Sequence, residues 1–412
     1  MAEELYTTLN EADFPYKDYV LVLPGWYPTQ TDPYPGDFNQ RHVMAAGLYT
    51  PQVVLYIAKD QTKTITAATQ TISKPTDTVV EIKIIYPQKK NRYWDAVYSN
   101  VTFLILLLKH SRIIKEKFGL PRLLHAYIVI RGGVAAWILS KKWKVPFVLT
   151  ENWTIYYPED PGYLKRRNLL FRLIVKQVFK NVTRFLPVTN DLKKQVQQLF
   201  DEVPSNIIPN VVDTDLFFYK ESSASNEPFR FIHVSTMTYQ KNPEGLLRAF
   251  NSFYKANPNT CLWMVGSYPE EVLLYAQSLN LDRDAVNFTG AVTYQQVAKW
   301  LQQSQALVLF SRYENLPCVI LEALCCGVPV ISTNAGGIAE VIDNSNGIII
   351  KNKNEEQLLE ALEKIYNNYQ HFNRRKIAEV ASKRYSYTTV GNQINEVYKE
   401  LIRGNNIKVD KR

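Results

Sequence analysis

Short apolar runs alternate along this chain with longer segments whose apolar positions recur every third or fourth residue. The first kind predicts strands buried on both faces of a parallel sheet; the second predicts amphipathic helices packed over it. In the first half, strands are expected at Tyr19 to Leu23, Gln52 to Ala58, Val79 to Tyr86, Leu123 to Ile130, Pro146 to Thr150 and Thr183 to Val188. Helices are expected from about Asn39, over Ala96 to Lys117, from Gly132-Gly133 to about Leu139, over Tyr163 to Lys180, and after the capping run Thr189-Asn190-Asp191. A Thr- and Ser-rich connection between the second and third strands is polar enough to be exposed.

The second half repeats the alternation. Strands are expected at Phe229 to Val234, Cys261 to Val265, Val286 to Phe288, Ala306 to Phe310, Val328 to Thr333 and Gly347 to Lys351. Helices are expected from Lys241 to about Ala256, then over Tyr294 to Gln303, Glu355 to Tyr369, Phe372 to Tyr385 and Thr388 to Arg403. The last presents Val390, Ile394, Val397, Tyr398 and Leu401 on one face. The polar, small-residue run Glu221 to Pro228 reads as a linker. Strand–helix alternation on both sides of a linker predicts two α/β, doubly wound domains.

Candidate chemistry gathers between Ser311 and Glu340. A polar loop after the strand at Ala306 carries Glu314. Asn315 can cap a helix, and Pro317 suits its first turn, where the missing N–H is an orphan anyway. Glu322 falls in the middle of that helix, and Gly327 fits a left-handed cap that stops it. Gly336-Gly337 opens a further helix carrying Glu340. A helix N-terminus favours an anion such as phosphate, and Glu314 lies in the loop at that mouth. Glu322 sits among Val319, Ile320, Leu321, Ala323 and Leu324. A carboxylate there needs partners, and sugar hydroxyls are good donors to one. The spacing alone also fits the exposed edge of an amphipathic helix.

The flanking residues add to this. Ser311, Glu314, Pro317, Glu322-Ala323, Gly327-Val328-Pro329-Val330-Ile331 and Gly336-Gly337 with Glu340 resemble the donor-site signature of the retaining glycosyltransferase family 4. The resemblance implies the GT-B fold, two Rossmann-like domains facing a cleft. It places an acceptor-binding domain over residues 1–220 and a nucleotide-sugar donor domain over 221–385, with helix 386–405 crossing back onto the first. Ile207 to Asp213 resembles the family's interdomain crossing. The implied activity is that of a hexosyltransferase, moving a sugar from a nucleotide-diphosphate sugar to an acceptor hydroxyl with retention. Cell-surface polysaccharide, lipopolysaccharide or capsule assembly is the implied setting, with a glycan or lipid-linked acceptor.

Carried over residue by residue, Glu314 lies by the transferred sugar and Glu322 binds the ribose hydroxyls. The backbone of Asn315, Leu316, Pro317, Cys318 and Val319 holds the sugar and diphosphate. Lys241 pairs with the diphosphate, and Gly36 lies near both diphosphate and acceptor. Two positions depart from the pattern. Thr236 stands where an arginine usually helps the lysine, which removes a bidentate phosphate donor. Asn152, after Glu151, stands where a histidine reaches the donor sugar; it can position a hydroxyl but cannot titrate. Glu151 is a weaker candidate for contacting sugar or acceptor. His125-Ala126-Tyr127 resembles the family's His-Ala-His with its last histidine replaced, and His125 on its apolar strand reads as a satisfied core residue. The catalytic set is thus Glu314, Asn152 and Lys241. No cofactor beyond the donor substrate is implied. A metal is not expected, and Lys241 and helix N-termini would stabilise the leaving diphosphate.

Composition and charge adjust the picture further. A chain of 412 residues, 46% apolar and 21% charged, can bury two cores. The four cysteines, Cys261, Cys318, Cys325 and Cys326, show neither metal nor disulfide spacing and read as buried thiols of a reducing compartment. The polar segment Met1 to Asp18 carries no signal sequence, and the apolar run Val101 to Leu108 is too short to span a bilayer, so a cytoplasmic location is expected. The net charge of +9 calls for an acidic partner. Nucleic acid is set aside because the basic residues join no recognisable module. Within Tyr163 to Lys180, Arg172, Lys176 and Lys180 share one helix face. That face is either a dock for an anionic membrane, peripheral on the inner face of the cell membrane, or a solvated face over a core stripe. Rival readings are a sugar-nucleotide epimerase or glycogen-type phosphorylase on the same fold, and a non-catalytic lipid-docking protein.

Overall fold

The computed structural model describes residues 14–30, 32–89, 91–221, 228–281 and 283–409. The start of the polar segment, residues 1–13, and the centre of the expected linker, 222–227, lie outside the described residues. The first sheet contains β1 (Val20–Pro24), β2 (Gln52–Lys59), β3 (Thr69–Thr76), β4 (Val79–Tyr86), β5 (Leu123–Tyr127), β6 (Phe147–Glu151) and β7 (Arg184–Pro187), in the order β3-β4-β2-β1-β5-β6-β7. Its pairings are parallel except β3 on β4. The second sheet contains β8 (Phe229–Val234), β9 (Thr260–Val265), β10 (Val286–Gly290), β11 (Ala306–Leu309), β12 (Val330–Thr333) and β13 (Gly347–Ile350), in the order β10-β9-β8-β11-β12-β13, all parallel. Strand order reverses between β1 and β5, and again between β8 and β11. Such switch points open crevices at the carboxyl ends of the strands.

The strands form where apolar runs are buried on both faces: every residue of β1, β5, β6, β11 and β12 is buried. Strand β3 lies inside the connection expected to be an exposed loop. It is an edge strand with no buried residue, so it has no apolar period to reveal it. The expected helix Tyr163 to Lys180 is broken. A 3-10 turn, Leu164–Arg166, gives way to extended backbone at Arg167 and Asn168. The helix Leu169–Asn181 then starts, capped by the Asn168 side chain, which accepts from the Phe171 N–H at 2.9 Å. Asparagine is a strong N-cap, and it wins over continuation of the helix.

The final helix, Tyr387–Val409, packs along the helix Asp37–Gly47. Gly391 allows the approach: a Cβ there would lie 2.1 Å from the Ala45 carbonyl oxygen. Val390, Ile394, Val397 and Tyr398 join Val43, Ala46 and Tyr127 in one core. His125 belongs to that core. Its ring meets the Tyr398 hydroxyl through Nδ1 and Thr150 Oγ1, at 2.8 Å, through Nε2, and it stacks on Tyr127.

Burial keeps four histidines uncharged. His42, His110 and His233 are each pushed down to about 4, and His125 well below the ordinary 6.5. Between these values the unfolded chain binds more protons than the folded one. Stability therefore rises with pH across the window and is lost as pH falls from 6.5 toward about 4. The expected loss is about 1 kcal/mol per histidine per pH unit. Urea midpoints at about pH 7.5 and about pH 5.5 measure it, and equal midpoints would refute it.

Candidate functional site

The loop after β11 is stitched to the loop after β8. The Arg312 N–H donates to the Gln240 carbonyl at 2.7 Å. This brings Glu314, which is buried, against Lys241. Lys241 Nζ donates to Glu314 Oε1 at 2.5 Å, and Gln240 Nε2 donates to Oε2 at 3.3 Å. Lys241 ends the 3-10 turn Tyr239–Lys241, and Asn242, at φ 52°, leads into the helix Pro243–Ala256. A carboxylate and an ammonium thus meet at a helix mouth.

Gly336 and Gly337 allow close approach of the surrounding chain. A Cβ on Gly336, whose φ is +54°, would sit 2.3 Å from the Glu314 carbonyl oxygen. A Cβ on Gly337 would sit 2.2 Å from Thr189 Cγ2, on the first domain. The Gly337 N–H donates to the Asn315 carbonyl at 3.0 Å.

The helix Cys318–Cys325 begins after Pro317, which occupies the cap position with no side-chain cap. The expected cap by Asn315 does not form, because that side chain is used elsewhere. Its Oδ1 accepts from the Thr189 hydroxyl at 3.1 Å and the Tyr157 hydroxyl at 3.5 Å, across the cleft, and its Nδ2 is buried without a partner. Leu316 is fixed through its carbonyl, which accepts from Asn210 Nδ2 at 2.8 Å. The amides of Cys318 and Val319 open the helix and have no carbonyl a turn earlier within it.

Glu322 is buried in the middle of that helix. Its Oε1 accepts from Arg41 Nη1 at 2.7 Å and from the Tyr294 hydroxyl at 2.7 Å. Arg41 comes from the other domain, on the helix Asp37–Gly47, and also pairs with Asp37 at 3.0 Å. Burial opposes the charge on Arg41, but Cys318, Tyr294, Glu322 and Asp37 around it raise its pKa above the ordinary value. Burial pushes the neighbouring Cys318 thiol up to about 12, so it stays protonated at neutral pH. The exposed-edge reading of Glu322 is therefore excluded.

At the end of β6, Glu151 accepts from the N–H groups of Val129, Asn152 and Trp153 and from the Tyr156 hydroxyl, all at 2.8 to 3.0 Å. Burial raises its pKa, and these donors pull against that rise. Its oxygens are taken up in joining the loops after β5 and β6. Asn152 differs: its Nδ2 is buried with no partner. Gly36, at φ +74°, precedes the helix Asp37–Gly47, and a Cβ there would lie 2.3 Å from the Trp26 carbonyl carbon. Its conformation is required by the fold, whatever ligand it meets.

The structure gathers Glu314, Lys241, the Asn315 to Val319 backbone and Glu322 on the segments after β8 and β11 and on the helix Cys318–Cys325 of the second domain. Sequence reasoning missed Arg41, Tyr294, Gln240 and Tyr157, which carry no motif. It also missed how Glu340 is used. Its carboxylate accepts from the backbone N–H groups of Asn190 at 2.9 Å and Asp191 at 2.8 Å, capping the first domain's helix Asn190–Gln197. Among the described residues, no group of three or more His, Cys, Asp and Glu is placed to hold a metal.

The family described as Glycosyl transferases group 1 matches residues 217–384, and Glycosyltransferase Family 4 matches residues 65–216. The chain belongs to the group 1 glycosyltransferases. It is similar to an uncharacterized glycosyltransferase of Methanocaldococcus jannaschii, with 25% identity over 311 residues, covering 74% of this chain and 82% of that protein. It is also similar to TuaC of Bacillus subtilis, named for teichuronic acid biosynthesis, with 26% identity over 265 residues, 61% of this chain and 63% of that one. Sucrose-phosphate synthase from Thermosynechococcus elongatus shares the fold at a TM-score of 0.74 and 16% identity, over 94% of this chain and 100% of the other. Anabaena HepE, solved with UDP, does so at 0.68 and 15% identity, over 93% and 100%. This group 1 glycosyltransferase has the GT-B fold and is a hexosyltransferase.

Removing Arg41 from this glycosyltransferase should leave the Glu322 carboxylate buried with Tyr294 as its partner. Arg41→Leu is expected to lower unfolding free energy by about 3 kcal/mol, and Arg41→Leu with Glu322→Leu to recover most of it. Urea unfolding of both variants checks this; additive losses would show that the two groups are not coupled.

Proposed function

We propose that the protein is a retaining glycosyltransferase whose donor is a nucleotide-diphosphate sugar. The donor binds over residues 221–385 and the acceptor over 1–220, with helix 386–405 joining them. The observation that carries this reading is the set of carboxylates at the cleft: Glu314 held by Lys241, and Glu322 held by Arg41 and Tyr294. Both bonds to Glu322 fall on Oε1, so ribose hydroxyls would engage Oε2. Lys241 and the amides at the start of the helix Cys318–Cys325 would receive the diphosphate, which is anionic. Glu314 would stand by the transferred sugar as electrostatic support. The unpartnered Nδ2 of Asn152 would donate to a sugar hydroxyl. Gly36 would lie near the diphosphate and acceptor.

In the step itself the anomeric carbon leaves the diphosphate oxygen and bonds to the acceptor oxygen. The departing phosphate takes the acceptor's proton. Charge builds up on the leaving oxygens, where Lys241 and the helix amides act. No cofactor or metal is needed for this balance. TuaC, and a Salmonella typhi Vi polysaccharide biosynthesis protein 35% identical over 145 residues, support a role in cell-surface polysaccharide assembly. The latter match covers 34% of this chain and 24% of that protein. HepE, solved with UDP and glucose, supports a UDP-linked donor. The acceptor would be a glycan or a lipid-linked one, reached from the inner face of the cell membrane.

A thermal-shift screen against UDP-, GDP- and ADP-sugars identifies the donor. Glu322→Ala should weaken that donor about tenfold or more, whereas Glu314→Ala should cut turnover about a hundredfold with donor affinity nearly unchanged. Wild-type kinetics from both variants would remove the assignment. Nucleotide diphosphate released only when acceptor is present separates transfer from epimerisation and phosphorolysis.

A further inference from the structure

Among the described residues, nine exposed large hydrophobics gather on two helices. Trp94 (72% exposed), Val97, Val101 and Ile105 (60%) stand on the outer side of the helix Arg92–Phe118, with Leu104 and Leu108 beside them. Their three- and four-residue spacing makes one stripe, about 20 Å long at the helical rise. Phe103, Leu107 and Ile114 on the inner side enter the core. Within this helix the run Val101 to Leu108, apart from Thr102, is therefore apolar all round but covered on one side only. A surface helix ordinarily turns a polar face to water. Leu169 (65%), Leu170 (69%) and Leu173 repeat the feature at the start of the helix Leu169–Asn181. Single exposed hydrophobics need no explanation, but a stripe and a cluster together do.

Both helices cover the same face of the first sheet. The crossovers β4 to β5 and β6 to β7 run in the same direction across the sheet, and parallel crossovers are right-handed. The helix between them, Val134–Trp143, packs on Leu169–Asn181, and Arg131 just before it lies over the Phe103 ring of the long helix. The charge on this face is basic. Lys109 and Lys115 continue the long helix, Lys141 and Lys142 end the middle one, and Lys165, Arg166, Arg172 and Lys176 surround the leucines, all exposed. The acidic residues of these segments are Asp95, paired with Lys59, and Glu116, paired with Arg112.

We propose that this face docks onto an anionic lipid bilayer, the apolar stripe and the leucines entering the acyl boundary while the basic residues meet headgroups. Among the described residues no helix is long and apolar enough to cross a membrane, so the helices lie in the interface plane. A second copy of the chain is a poorer occupant, because a two-fold contact would set these like charges against each other. An anionic bilayer matches both the apolar and the charged part. Ser99, on the inner side of the long helix, lines a cavity of about 500 Å³ with Trp26, Tyr56 and Arg131. Docking would hold that cavity about one helix diameter, roughly 10 Å, from the headgroups. This suits an acceptor carried on a lipid, a step that rests on the glycosyl-transfer reading; the docking itself does not.

The test is co-sedimentation of the full chain with vesicles of phosphatidylcholine, alone or with about 30 mol% phosphatidylglycerol. Binding to the anionic vesicles is expected, weakened but not abolished by high salt, because screening acts on the charges alone. Trp94→Ser with Ile105→Ser, and separately Leu169→Ser with Leu170→Ser, should each reduce partitioning about tenfold. Their melting temperatures and sugar-nucleotide thermal shifts should match wild type. Wild-type protein that ignores anionic vesicles overturns the proposal. So does a solution dimer that the Trp94 and Ile105 changes dissociate while vesicles are not bound. Intact vesicle binding with no sugar-nucleotide shift would sink the donor reading and leave the docking face standing.

Discussion

A carboxylate withdrawn from water must be given donors, and the cleft of this glycosyltransferase is arranged around that constraint. Buried Glu151, Glu314 and Glu322, and with them the half-buried Glu340, are each met by donors from another loop or the other domain. Glu151 joins two loops within the first domain. Glu314 joins the loops after β8 and β11. Glu322 and Glu340 reach across. Carboxylates accept and never donate, so each junction recruits N–H or O–H groups, the same chemistry that sugar hydroxyls offer. A site built from such junctions is already arranged to exchange one set of donors for another.

That exchange ties binding to domain position. Arg41 on Glu322, Thr189 on Asn315, and the Asn190 and Asp191 amides on Glu340 all bridge the domains. Gly337 lets the backbones come close enough for these bonds to form. A donor that takes its place beside Glu322 must share or replace Arg41, so its affinity depends on how tightly the domains are held. Ligands shift such equilibria by their differential contacts with the two arrangements, and on the proposed reading those contacts would fall on Glu322 itself.

The sequence made the repeated architecture legible because parallel strands buried on both faces leave unbroken apolar runs. It also made Glu314, Glu322 and Lys241 legible, through the length and order of the residues around them. Arg41 was not legible: on an amphipathic helix it looks like any solvated cation, and only the packing of the two domains brings it to Glu322. Strand β3 was hidden because an edge strand with no buried side carries no period. Asn315 was read as a cap from local preference, and a contact with Thr189 took its side chain instead. The run at Val101 to Leu108 was read by its length, which excludes a span; that one of its sides lacks a cover is a tertiary fact.

Arg131 joins the outer helix to the wall of the cavity behind it. Arg131 adopts φ 61° and ψ −68°, a strained conformation for a residue with a side chain, at the mouth of the cavity. Strain of this kind, about 1 to 3 kcal/mol, persists only where neighbours over-determine it. The neighbours here are Ser99, whose hydroxyl accepts from Arg131 at 3.0 Å, and Phe103, whose ring lies under the guanidinium. Both belong to the helix whose far side carries Trp94 and Ile105. A displacement of that helix would therefore move the cavity wall, and whatever covers its open stripe also bears on the place where an acceptor would sit.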